Sequence, residues 1–116
     1  MFELTGLNGA KMLVSAKSIF RIRATTPSEG SDAAKVEYSG GYIYTLEPIA
    51  HLLARLSTMS KIIELTTRSG VPVHLNTAAI TRVREALEIN GPGTELVVGG
   101  QYQHVTETVE QVMALL

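Results

Sequence analysis

Three histidines, two Arg-x-Arg runs and a scatter of serines and threonines are the residues through which this 116-residue chain could act chemically, and their spacing restricts the options. His51 falls in a segment of helical periodicity, His74 in a strand-like run and His104 near a strand end. No two are one helical turn apart, the separation at which a helix presents two imidazoles to one metal ion. The chain has no cysteine, which removes thiolate ligands, disulfides and sulfur nucleophiles. No metal is expected. The serines form neither a Gly-x-Ser-x-Gly elbow nor a Ser-x-x-Lys element, so no serine nucleophile is marked out. Gly91-Pro92-Gly93 and Ser39-Gly40-Gly41 run into strand-like segments instead of a helix N-terminus, so they do not describe a phosphate cradle. The expectation is a protein without cofactor that is not an enzyme.

Arginine offers more. On a strand, alternation puts Arg21 and Arg23 on one face and Phe20 and Ile22 on the other, and Arg82 and Arg84 repeat the pattern beside Thr81 and Val83. Four guanidinium groups on one surface could grip phosphates or a partner's carboxylates. The competing expectation is an ion-paired, solvated face, with Glu3 and Glu64 as the cross-strand partners. Tyr42 and Tyr102 each follow a glycine turn, where they serve either packing or binding. The binding candidates are therefore Arg21, Arg23, Arg82, Arg84, Tyr42 and Tyr102.

The elements that must position these residues are written twice. Phe2-Glu3-Leu4-Thr5 returns as Ile63-Glu64-Leu65-Thr66, Gly9 as Gly70, and Ile19-Phe20-Arg21-Ile22-Arg23 as Ile80-Thr81-Arg82-Val83-Arg84, in one register. With one residue dropped from a loop, Gly40, Tyr42, Glu47, Ala54 and Leu56 match Gly100, Tyr102, Glu107, Ala114 and Leu116. A repeat of this size is one supersecondary module. Each copy opens with a hairpin around Asn8-Gly9 or Ser69-Gly70, continues past a turn near Ala16-Lys17 or Thr77-Ala78 into a third strand, and then meets a polar loop at 26–32 or 88–93. A second hairpin is expected to pair 34–38 with 42–46 and 94–98 with 101–105. Each copy closes with a helix carrying Ile49, Leu52, Leu53 and Leu56, or Val109, Val112, Met113 and Leu116, as its apolar stripe. Thr106 is the expected N-cap of the second helix with Glu107 in its first turn, and Pro48 is expected early in the first.

The spacing predicts an α+β fold: two tandem β-β-β-β-β-α repeats, 1–57 and 61–116, related by approximate internal symmetry, joined by the short link 57–60 and sharing one core. Each half, at roughly 55 residues, would be marginal alone, because small bodies bury too little surface. A single domain is expected. The formal net charge of −1 gives no broad positive field to draw the whole molecule to nucleic acid or anionic lipid. No stretch approaches membrane-spanning length, and no charged segment followed by an apolar run precedes the first repeat. A soluble cytoplasmic protein is expected.

Ile63-Glu64-Leu65-Thr66, Gly70, Leu75-Asn76, Ile80, Thr94, Gly100, Val105, Glu107 and Val112 together resemble the small FlbD-type flagellar and swarming-motility proteins, and Leu7-Asn8-Gly9 echoes the same family's turn. The resemblance spans nearly all of both repeats. Family members carry a single unit, so this chain departs by being doubled, as though a homodimer had been fused. The resemblance implies a cytoplasmic, non-enzymatic protein that works through contacts with other proteins in motility or its regulation. The segment from Ile80 to Leu116 also resembles the sheet-and-helix part of LytTR-type DNA-binding domains, which implies a transcription-linked alternative using the four arginines. A protein partner is expected first and nucleic acid second, with no membrane.

Overall fold

Alternating apolar residues make the opening hairpin, in which β1 (Phe2–Thr5) pairs antiparallel with β2 (Lys11–Val14). A single 3-10 turn over Ala16–Ser18 leads into β3 (Ile19–Ala24), and β4 (Ala34–Tyr38) and β5 (Gly41–Thr45) follow before helix α1 (Ile49–Leu56). The same order then recurs. β6 (Ile62–Thr66) and β7 (Pro72–Asn76) form a hairpin, a 3-10 turn spans Thr77–Ala79, and β8 (Ile80–Glu85), β9 (Thr94–Val98) and β10 (Gln101–Val105) precede helix α2 (Val109–Leu115). This computed structural model describes residues 1–30 and 33–116. The fold is α+β, with antiparallel sheets and two short helices. Among the described residues no helix is long and apolar enough to cross a membrane.

Sheet topology mixes the two halves. β6 and β7 do not stay with β8; they extend the first half's strands into a five-stranded sheet of order β5-β4-β3-β7-β6. The junction is antiparallel, with Arg21 opposite Leu75 and Ile22 opposite His74. The buried Asn76 side chain reinforces it by donating to the Ile19 carbonyl at 2.9 Å while accepting from the Ala78 amide at 3.1 Å. β8, β9 and β10 form a separate three-stranded sheet, and β1 with β2 a third of two strands.

The interior is two clusters where one common core was expected. Phe2, Leu4, Ile19, Ile22, Val36, Leu52 and Leu56 anchor the first, and Leu65, Val73, Leu75, Leu96, Val98, Val105 and Val112 the second. Phe20 crosses between them. It belongs by sequence to the first half but is buried in the second cluster. A register shift between Ile19 and Arg21 against β4 explains this, because a bulge adds one residue and re-aims its side chain. Simple alternation, which pairs Phe20 with Ile22 on one face, is therefore broken at this point, and Ile19 and Ile22 share the first cluster instead. Phe20 packs directly over Gly99, whose φ of +57° suits the β9–β10 turn and where any Cβ would collide with the ring.

Other expectations shift by a residue or two. β5 starts at Gly41, because Tyr38 faces Gly41 across a two-residue turn. The 26–32 and 88–93 loops each contain a short 3-10 turn, at Pro27–Glu29 and Glu88–Asn90, where no regular element was expected; Ser31 and Asp32 of the first loop lie outside the described residues. The N-cap of α2 is Thr108, in a capping box with Gln111, because Thr106 and Glu107 are engaged elsewhere. The Thr106 amide donates to the Thr66 carbonyl at 2.8 Å, and the Glu107 carboxylate accepts from the Thr66 amide at 2.9 Å, tying the end of β10 to β6. Pro48 stands at the N-cap of α1, just outside the helix.

Candidate functional site

The four arginines do not line one free surface. Arg21 is the most enclosed: its Nε and Nη2 donate to both oxygens of the Glu37 carboxylate, the latter at 2.8 Å. Its remaining donors cross to the second half, to the Gln103 Oε1 at 2.9 Å and the Gln101 Oε1 at 2.6 Å, both on β10. With a side chain only 12% exposed, Arg21 is a clip between the halves. A bidentate pair of this kind is strong, and its planar fork leaves no donor for a ligand.

Arg23 is occupied locally. It makes a two-pronged pair with Glu29 at 2.8 and 2.9 Å, and the Tyr44 hydroxyl and the Thr26 amide both donate to the same carboxylate. Donation from Arg23 first, then from Thr26 and Tyr44, holds the Glu29 carboxyl well below the usual carboxylate range. The Tyr44 hydroxyl titrates above its ordinary value chiefly because its proton is given to Glu29. The Arg23 guanidinium is raised for the reciprocal reason.

Arg82 and Arg84 are more open, with side chains 45% and 42% exposed. Both lean on one carboxylate, Glu95, at 3.4 and 2.8 Å, so this patch keeps an unneutralised positive charge. Arg82 also lies 5.7 Å from the centre of the Tyr102 ring, and Tyr102 is exposed. The corresponding Tyr42 is exposed too, with the Lys35 ammonium 4.4 Å above its ring and Tyr44 edge-on at 5.5 Å. A cation over an exposed tyrosine thus occurs on both second hairpins. Tyr42 further lines an open groove of about 470 Å³ with Leu7, Met12 and Ile43.

The expected acidic partners were the wrong ones. Glu3 pairs with Lys11 at 3.5 Å and Glu64 approaches the His74 ring at 3.9 Å, while the arginines take Glu37, Glu29 and Glu95. Glu3 and Glu64 lie in the hairpins, opposite Leu13 and His74, and so do not face β3 or β8. Lys35 and Glu37 were missed as site residues. Their signal was present in the alternation of 34–38, which puts both beside Arg21 and Arg23 once β4 pairs with β3. Gln101 and Gln103 carry no such signal, because their role depends on a contact between halves.

The histidines occupy three elements with three different surroundings. His51 is exposed on α1, and His104 Nε2 sits 2.9 Å from the Pro92 carbonyl. His74, on β7, is largely buried, and desolvation outweighs the nearby Glu64 in lowering its pKa from the ordinary 6.5. Among the described residues, no three histidine or acidic side chains gather into a metal-binding group. Comparison with family models, with curated proteins and with solved structures finds no match to this chain.

Proposed function

We propose that this chain is a non-enzymatic binding or regulatory protein, built from two copies of one β-β-β-β-β-α unit related by approximate internal symmetry. It acts through contacts with a protein partner in the cytoplasm, in the motility-linked setting that the FlbD resemblance implies. The observation that carries this reading is the recurrence of an exposed tyrosine under a cation, Tyr42 with Lys35 and Tyr102 with Arg82. Tyrosine and arginine are enriched at the energetic centres of protein interfaces, tyrosine through a large, rigid ring with a polar tip and arginine through a planar charged fork on an apolar stem. The enclosed polar groups, by contrast, are already satisfied by one another: no buried side-chain nitrogen or oxygen among the described residues lacks a hydrogen-bond partner. The exposed cationic aromatics are left to meet something outside the chain.

Affinity capture with the intact chain, set against a Tyr102→Ala/Arg84→Ala variant of unchanged circular dichroism, tests the reading. A protein retained by the first and lost by the second supports it. Equal capture by both, together with DNA or RNA binding that falls steeply with salt and disappears in the variant, would replace it with the nucleic-acid alternative.

A further inference from the structure

We infer that a second copy of this chain docks head to tail, its β2 strand adding to the open edge of β8 as β7 adds to β3 within the chain. The inference shares with the proposed function the duplication of the unit and the strand β8, of which it uses the backbone edge where the proposed function uses the Arg82 side chain beside Tyr102. β3 is a central strand because the hairpin of the other half covers its outer edge. β8, which matches β3 in sequence, pairs among the described residues only with β9 and ends its sheet. β2, which matches β7, pairs among the described residues only with β1. The described residues therefore carry one used junction and the two unused halves of another. An exposed strand edge is a template for pairing.

The internal junction supplies the register. Arg21 faces Leu75 and Ile22 faces His74; the matching positions set Arg82 opposite Val14 of the second copy and Val83 opposite its Leu13. Carried two pairs further, Glu85 meets Lys11 of the second copy. Both are exposed here, and opposite charges directly across a strand pair stabilise it. The apolar complement is also in place. Leu13 is 59% exposed on the β2 edge, and Leu116 is 48% exposed where the matching Leu56 is fully buried against β3. Even the bulge position agrees. Phe20 needs Gly99 beneath it, whereas Thr81 at the matching place would face Ser39, a smaller side chain over a larger one.

The external junction is weaker than the internal one. Thr81 buries less than Phe20, and Ser15, standing where Asn76 does, is too short to repeat the bond to the Ile19 carbonyl. Association is thus reversible and grows with concentration. A heterologous contact of this type closes into a ring if the rotation between units permits and extends as a fibre if it does not.

Because the chain has no cysteine, disulfide trapping is free of background. Chains bearing Leu13→Cys and Val83→Cys are oxidised separately and as a mixture. A disulfide dimer in the mixture, and in neither separate sample, is expected. No dimer in the mixture, or equal yields in all three, would overturn the inference. Sedimentation of the unmodified chain gives a second measurement independent of the variants: mass rising with concentration in steps of one chain supports head-to-tail docking, and a monomer throughout contradicts it. Neither negative result bears on capture of a different protein through Tyr102 and Arg84.

Discussion

β3 and β8 begin from nearly the same residues, Ile-Phe-Arg-Ile-Arg and Ile-Thr-Arg-Val-Arg, and end in opposite situations. In β3, Ile19, Phe20 and Ile22 are buried and Arg21 is saturated by Glu37 and two glutamines of the other half. In β8, Ile80 and Val83 are only half-buried, Thr81 is exposed, and Arg82 shares a carboxylate and borders an exposed ring. The neighbouring strand makes the difference: β7 covers one edge, and among the described residues no strand covers the other. An Arg-x-Arg run is therefore a structural clip in one setting and an open surface in the other, and the motif alone does not say which.

The contrast is sharpest at the bulge. Phe20→Ala should destabilise by about 3–5 kcal/mol, through lost burial and the cavity left in the second cluster, whereas Thr81→Ala should change stability by no more than about 0.5 kcal/mol. Urea unfolding followed by circular dichroism reads both, and equal losses would erase the distinction between the strands. The arginines come next. Arg21→Ala leaves the buried Glu37 with only Lys35 at 4.0 Å, and a lost charged hydrogen-bond set of this kind costs about 2–3 kcal/mol. Arg82→Ala removes a surface pair and should cost under about 1 kcal/mol.

The smallest effect is pH-dependent and belongs to the junction itself. His74 is held neutral by burial on β7, opposite Ile22, with Glu64 as its charged neighbour on β6. Its folded pKa lies below its unfolded one, so its contribution is fully present above the ordinary value of 6.5 and fades as pH falls through the folded value. Denaturant midpoints should drop on mild acidification, and His74→Leu, which installs the residue found at the matching Leu13, should flatten that drop. A midpoint that rises on acidification would reverse the assignment.

Local features of this fold were legible because local periodicity encodes them. The 94–98 and 101–105 hairpin, the turns near Ala16 and Thr77, and the apolar stripe of the first helix follow from alternation, glycine position and helical spacing, whereas of the stripe expected on the second helix Val112 is buried and Met113 and Leu116 are exposed. The pairing of β3 with β7 was not legible, since nothing in either strand distinguishes a neighbour in its own half from one in the other. The split core followed from that. A bulge at Phe20 shifts the phase of burial by one residue, and the sequence around it reads equally well without the shift. At the candidate site both tyrosines and both Arg-x-Arg pairs can be named from the sequence, but their exposure and their acidic partners depend on strand order. The cap of α2 moved to Thr108 for a similar reason: Thr106 and Glu107 answer to β6 before they answer to the helix.

Native-state hydrogen exchange on the intact chain, at a dilution where single chains prevail, bears most directly on the central claim that the second half's hairpin completes the first half's sheet. The backbone amides of β3 that face β7 should exchange only with global unfolding, while the matching outward amides of β8 exchange faster by orders of magnitude. Equal protection of the two strands, or rapid exchange on the β7 side of β3, would contradict it.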